Sequence, residues 1–292
     1  MKQRVQFEIA GEPVVGDLFV PPGVGPHPAV VVAGPMTSVK EQVTGVYAAA
    51  LAVRGVAALA LDHRHYGESG GLPRQYEYAQ HKIEDLRAAL DWLATHPTVD
   101  GERLGLAGVC LGAGYAAWAA LDQPRVRALG LVAGYYRHPQ VMRDRDPDAF
   151  DSKIAHGRAA REHYEATGES RTVPAVALQG DAAMTLADTF DYYGTKRAGV
   201  ANYRNEFAIM SREHFLPFDV QAAAPRTRAP TLMVHARGAL SPHWAESFHE
   251  ALSCEKRLHW LTSDCQVDFY DRPHLVNTAA DLLQEHFHTH LG

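Results

Sequence analysis

The stretch Gly101–Ala120, GERLGLAGVCLGAGYAAWAA, decides the fold. An apolar run, Arg103–Val109, leads through Gly108-Val-Cys-Leu-Gly112 straight into an Ala-rich segment. That succession reads as a buried strand, a tight turn and a helix with nothing between them. Cys110 sits at the turn, where two roles are open to it: a nucleophile held at a sharp bend, or a small apolar residue packed there. The flanking glycines are what a strained, crowded bend requires.

Outward from this unit the pattern repeats. Pro28–Gly34 and Val56–Asp62 are continuous apolar runs, as expected of strands buried on both faces. Helical stretches at about Glu41–Arg54 and Ile83–Thr95 alternate with them, Leu111–Leu121 follows the bend, and Ala128–Gly134 is another strand. The same alternation returns near the C-terminus. Thr231–Ala236 and Lys256–Thr262 read as strands, and Pro242–Leu252 and Pro273–His290 as helices. Alternating strand and helix implies a mostly parallel sheet covered on both faces. Before it, Val5–Ile9 and Val14–Val20 alternate around a Gly-Glu-Pro turn and read as an antiparallel hairpin. Between Tyr136 and Arg228 the period breaks into a polar, Pro-interrupted insertion. The expected organisation is one α/β core, residues 1–136 and 228–292, with a cap at 137–227.

Composition narrows the class of function. A net charge of −6 offers no basic stripe for nucleic acid. Three cysteines at unpatterned spacing argue against a secreted disulfide framework and for a reducing compartment. The N-terminus alternates polar and apolar residues and has no apolar signal core, and no run is long enough to span a bilayer. The expectation is a cytoplasmic protein with neither nucleic acid nor membrane as partner. The seventeen histidines are scattered and form no ligand set with the cysteines, so neither metal nor cofactor is expected.

The chain resembles an α/β-hydrolase from end to end, cap included. Gly108-Val-Cys-Leu-Gly112 is similar to that superfamily's Gly-x-Ser-x-Gly nucleophile elbow, with sulfur in place of the hydroxyl. Gly34-Pro-Met36-Thr-Ser lies after the third strand, where the superfamily builds half of its oxyanion hole. The resemblance thus implies the N–H groups of Met36 and Leu111 as oxyanion donors. Asp62, Arg64 and Ser69 in LALDHRHYGESGG match a loop-organising motif. The phrases GPMTSVKEQ, DHRHYGESGG, YYGTKRAGV and VDFYDRP are similar to a branch of dienelactone-hydrolase-like and polyketide-transferase-like proteins. That branch implies acyl transfer or hydrolysis on an ester or thioester carbonyl, with a small-molecule or carrier-bound acyl substrate. A homodimer is compatible with the sequence.

The resemblance fails at the base and the acid. Where the branch places histidine, immediately before Val267-Asp-Phe-Tyr-Asp271, this chain has Gln266, which orients a carbonyl or a water but carries no proton. Leu240 falls about where the acid belongs. Three readings remain open. Cys110, its pKa lowered by the following helix N-terminus, attacks alone. Alternatively His214 from the cap, then His63, then His274, supplies the base. In the third, the pocket binds a ligand or promotes cyclisation without a covalent step. Tyr135 and Tyr136, with the cap aromatics, suit an apolar ligand. Arg137, Arg143 and Arg145, close to aspartates, read as surface ion pairs.

Overall fold

The computed structural model describes residues 1–292. Its centre is an eight-stranded sheet in the order β1-β2-β4-β3-β5-β6-β9-β10. The strands are β1 (Lys2–Ile9), β2 (Glu12–Phe19), β3 (His27–Ala33), β4 (Ala57–Leu61), β5 (Val99–Val109), β6 (Val126–Val132), β9 (Thr231–Ala236) and β10 (Lys256–Leu261). β1 and β2 are antiparallel, β2 is antiparallel to β4, and the rest run parallel. β4 and β9 are buried along their whole length, which is why their sequences lack alternation. Edge strand β1 alternates instead, and its Phe7 stacks on Trp92 at 5.4 Å.

Helices cover both faces. α1 (Val43–Ala52) packs beside α10 (Pro273–Leu291), and α2 (Ala79–Ala94) beside α3 (Leu111–Ala120). Leu283 and Phe287 of α10 press on Gly130 of β6, where a side chain would leave them no room. A single core of 75 buried residues joins sheet and helices. Removing even one buried leucine from such packing costs about 2–5 kcal/mol.

Between β6 and β9 the chain leaves the sheet. That segment holds α4 (Pro139–Arg145), α5 (Pro147–Thr167), the short pair β7 (Thr172–Val173) and β8 (Phe207–Ala208), α6 (Ala187–Tyr193) and α7 (Ser211–Phe215). α5 begins on Asp146, whose carboxylate accepts the Ala149 N–H at 3.0 Å, and ends at Gly168 with φ 74°. Of its 21 residues only Gly157 and Ala160 are buried, where the helix packs against α7. Two elements follow β9 and frame the site: α8 (Pro242–Ala251) and the one-turn α9 (Asp268–Asp271). No helix is long and apolar enough to cross a membrane.

Candidate active site

β5 ends and α3 begins at Cys110, which adopts φ 56° and ψ −123°. A non-glycine residue with positive φ is strained, and the surroundings hold it there. Its N–H donates to the Val132 carbonyl at 3.1 Å, and its carbonyl accepts from Tyr135 at 2.9 Å and Ala113 at 3.1 Å. A Cβ on Gly108 would press into Ala113, and one on Gly112 into the Ala33 carbonyl. The glycines are therefore needed for close approach, as the motif requires.

Cys110 lines a cavity of about 290 Å³, at the small end for a ligand site. The walls are mostly apolar: Met36, Leu111, Tyr135, Met184, Phe215 and Tyr270 among them. No histidine, aspartate or glutamate lines it. A wider depression of about 770 Å³ around Pro124, Arg127 and His290 is open and lies at the amino ends of β6 and β9. Ligands in α/β sheets bind at the carboxyl ends, where Cys110 stands.

The Pro35–Ser38 turn forms one wall. Ser38 N–H closes it on the Pro35 carbonyl at 3.4 Å, with Thr37 at φ 62°. Neither the Met36 N–H nor the Leu111 N–H donates to a backbone carbonyl; both lie beside the sulfur, and the Leu111 N–H is directed at it. Glu77 holds the turn from behind by accepting the Thr37 N–H at 2.9 Å. This buried carboxylate also accepts the hydroxyls of Tyr66 at 2.7 Å and Tyr115 at 2.5 Å, and pairs with Lys82 at 2.7 Å. Burial pushes the Glu77 carboxyl up, but Lys82 and the hydrogen bonds outweigh it and hold it below the usual range. Sequence reading passed over Glu77, which sits in a polar stretch with no motif.

Gln266 occupies the place of the expected base. Its amide donates to the Ala133 carbonyl at 2.5 Å, and its oxygen accepts the Leu240 N–H at 3.0 Å. Leu240, at the acid's position, thus contributes a backbone donor that orients an amide. Tyr270, one turn beyond Gln266, is buried and also lines the cavity. The sequence carries Tyr270 within VDFYDRP, but nothing there marks it as a cavity residue. Arg197 from YYGTKRAGV clamps its helix by donating to Asp271 at 2.6 and 2.7 Å, which links those two phrases in space.

Burial pushes the Cys110 thiol up, and hydrogen bonding by Tyr270, the Leu111 N–H and Gln266 offsets this only in part. The expected lowering by the α3 terminus is present through the Leu111 N–H but is outweighed by burial. A helix end contributes about 0.3–1 kcal/mol, whereas desolvating an unpaired charge costs several.

Five further expectations need correction. His63 lies away from the cavity, with Nδ1 3.1 Å from Asp85. His214 faces outward against Tyr78, ring centroids 5.0 Å apart, because α7 turns that face away from the cavity. His274 is exposed. Tyr136 is buried beneath the site, stacked on Phe248 at 4.5 Å, while its neighbour Tyr135 faces the cavity. Arg137 is no surface residue but fully buried on the cavity wall. The anticipated loop organisers are placed as such. Asp62 accepts from the Lys40 and Glu68 N–H groups at 2.7 and 2.9 Å, Arg64 pairs with Asp85, and Ser69 donates to the Asp62 carbonyl at 2.6 Å. The carboxylates of Glu41, Asp62 and Glu68 converge, but the Lys40 ammonium sits among them at 2.6–2.8 Å and pairs with all three.

With this geometry the chain can be set beside known proteins. A family model described as "Esterase FrsA-like" matches residues 1–143. The chain is 30% identical to the uncharacterised protein YcjY of Escherichia coli over 98% of both chains. It is 28% identical to a thiohydrolase of Eupenicillium brefeldianum, over 82% of this chain and 79% of the other. The crystal structure of a hypothetical Pseudomonas aeruginosa protein superposes with a TM-score of 0.85 at 27% identity, covering 99% of this chain and 94% of that one. The chain belongs to the α/β-hydrolase superfamily, in the family of YcjY.

Proposed function

We propose that this protein transfers the acyl group of a thioester through Cys110, with hydrolysis as the slower outcome. The observation that carries the reading is the cavity itself: a sulfur on a strained bend, two backbone donors beside it that no carbonyl engages, and no histidine or carboxylate. Cys110 Sγ attacks the carbonyl carbon while the Met36 and Leu111 N–H groups receive the developing oxyanion. The carbon–sulfur bond to the leaving thiol then breaks. The proton of Cys110 passes to that leaving sulfur, directly or through the Tyr270 hydroxyl. In the return step an acceptor thiol or amine attacks, and its proton restores the Cys110 thiol.

The missing base selects the substrate class. An alkoxide cannot leave without a proton donor of imidazolium strength, whereas a thiolate can. Water is the poorer acceptor for the same reason, since Gln266 orients a nucleophile but cannot deprotonate it. The name of the Eupenicillium relative, a thiohydrolase, agrees with thioester chemistry. A polyketide-type acyl group suits the aromatic walls.

The test is turnover of short N-acetylcysteamine thioesters with and without an acceptor amine. The expected result is faster release with acceptor, a loss of at least about 10³-fold in Cys110→Ala, and a gain of hydrolysis in Gln266→His. Turnover that survives Cys110→Ala returns the cavity to the non-covalent reading, a binder or a cyclase-like scaffold.

A further inference from the structure

Five cationic side chains are buried in this protein: Lys40, Arg64, Lys82, Arg137 and Arg212. Four have carboxylate partners. Lys40 meets Asp62 at 2.8 Å, Arg64 meets Asp85, Lys82 meets Glu77, and Arg212 meets Asp181. Arg137 has none, and it is the one whose side chain lines the cavity with Cys110. Arginine is almost never fully buried without an ion partner, because stripping water from an uncompensated cation costs several kcal/mol.

The guanidinium is only partly satisfied. Nη1 donates to the Phe215 carbonyl at 2.5 Å, and Nη2 to the Leu216 carbonyl at 2.9 Å. These bonds fasten the end of α7 to the core and give Arg137 a structural role. They leave capacity unused. Nε has no partner at all, and Nη2 also points at the Met142 thioether at 3.6 Å, a weak acceptor. Met142 itself lines the cavity, so the weak partner of Nη2 is a flexible side chain on the cavity wall. Lys153, exposed, adds a second positive charge to the lining, and no acidic side chain lines the cavity beside them.

We infer that the acyl substrate carries a carboxylate at the end remote from its thioester, and that this carboxylate takes the unused donors of Arg137 by displacing Met142. The inference rests on the acyl-transfer reading for the reactive end, but the anion site stands on its own geometry. A guanidinium offers paired N–H groups matched to a carboxylate's two oxygens. In surroundings that exclude water, that pairing is stronger than at a surface. The cavity would then select half-thioesters of dicarboxylic acids over fatty acyl groups of the same length.

The experiment compares two N-acetylcysteamine thioesters of equal chain length, one ending in a methyl group and one in a carboxylate. The wild type is expected to favour the carboxylate at least 10-fold in kcat/KM. Arg137→Met is expected to abolish or reverse that preference, and Arg143→Met, which removes an exposed cation, to keep it. A wild type that uses the methyl-ended thioester equally well or better overturns the proposal, without recourse to a variant that loosens α7. Binding of the unreactive amide analogues of the two compounds, read by calorimetry, separates the two readings. Tighter binding of the carboxylate-ended amide with no turnover of either thioester would fail the acyl-transfer reading and sustain the anion site. Equal binding would fail the anion site whatever the turnover.

Discussion

The buried polar groups of this protein fall into two sets that meet at the Pro35–Ser38 turn, and the sets are built in opposite ways. Behind the turn every buried charge has its counter-charge: Glu77 with Lys82, Asp85 with Arg64, Asp62 with Lys40. In front of it, around Cys110, the polar groups are left over. Arg137 has no carboxylate, the Tyr193 hydroxyl has no partner, and the Met36 and Leu111 N–H groups have no carbonyl acceptor. Paired charge holds the strained Thr37 in place through Glu77, while backbone bonds hold Cys110. Unpaired polarity facing a cavity is costly in the empty protein and is relieved when a ligand arrives.

That division can be broken deliberately, and the largest effect should come from the paired side. Glu77→Ala leaves Lys82 buried alone and removes the acceptor of the Thr37 N–H. The expected loss is about 3–5 kcal/mol, read from the urea midpoint. A loss below about 1 kcal/mol would mean that the network does not support the turn.

Acid should strike the same region next. Burial lowers His63, and it takes His65 down to about 4, so both are neutral in the fold. As pH falls below about 6.5 the unfolded chain binds protons that the native one refuses, and stability falls. The expected decline is about 1.4 kcal/mol per pH unit from His65 between pH 6.5 and 4, with His63 adding to it in the same direction, and none from this source above pH 7. Stability flat across that window would place charged histidines in the frame.

The smallest effect separates two neighbouring tyrosines. The Tyr136 hydroxyl is buried without a partner and does not face the cavity, so Tyr136→Phe should change stability by less than about 1 kcal/mol and leave turnover unaltered. Loss of activity in that variant would put Tyr136 in contact with substrate.

The same contrast explains what the sequence discloses. The elbow, the buried strands and the hairpin are legible because they are local: glycine spacing, apolar runs and period-two alternation each leave a mark within ten residues. The frame is not legible in that way. Glu77 and Lys82 are close in sequence, but they are buried among Thr37, Tyr66 and Tyr115 from other elements, and nothing in RQYEYAQHK announces that. Arg137 misleads in the other direction, because the aspartates near it in sequence, in RDRDPD, suggest surface pairs that it does not make. Tyr135 and Tyr136 differ because adjacent residues at a strand end point to opposite sides, a distinction that composition cannot draw. His214 belongs to the cap yet turns outward, since α7 packs one face on α5 and presents another to Tyr78.

The central claim is that the Cys110 sulfur carries the acyl group. Intact-mass measurement after brief incubation with a short acyl thioester, in the absence of acceptor, tests it most directly. The account expects one added acyl group per chain, mapped to Cys110, absent in Cys110→Ala and retained when Cys254 and Cys265 are replaced by serine. Thioester consumption with no adduct on Cys110, or consumption undiminished in Cys110→Ala, would contradict it.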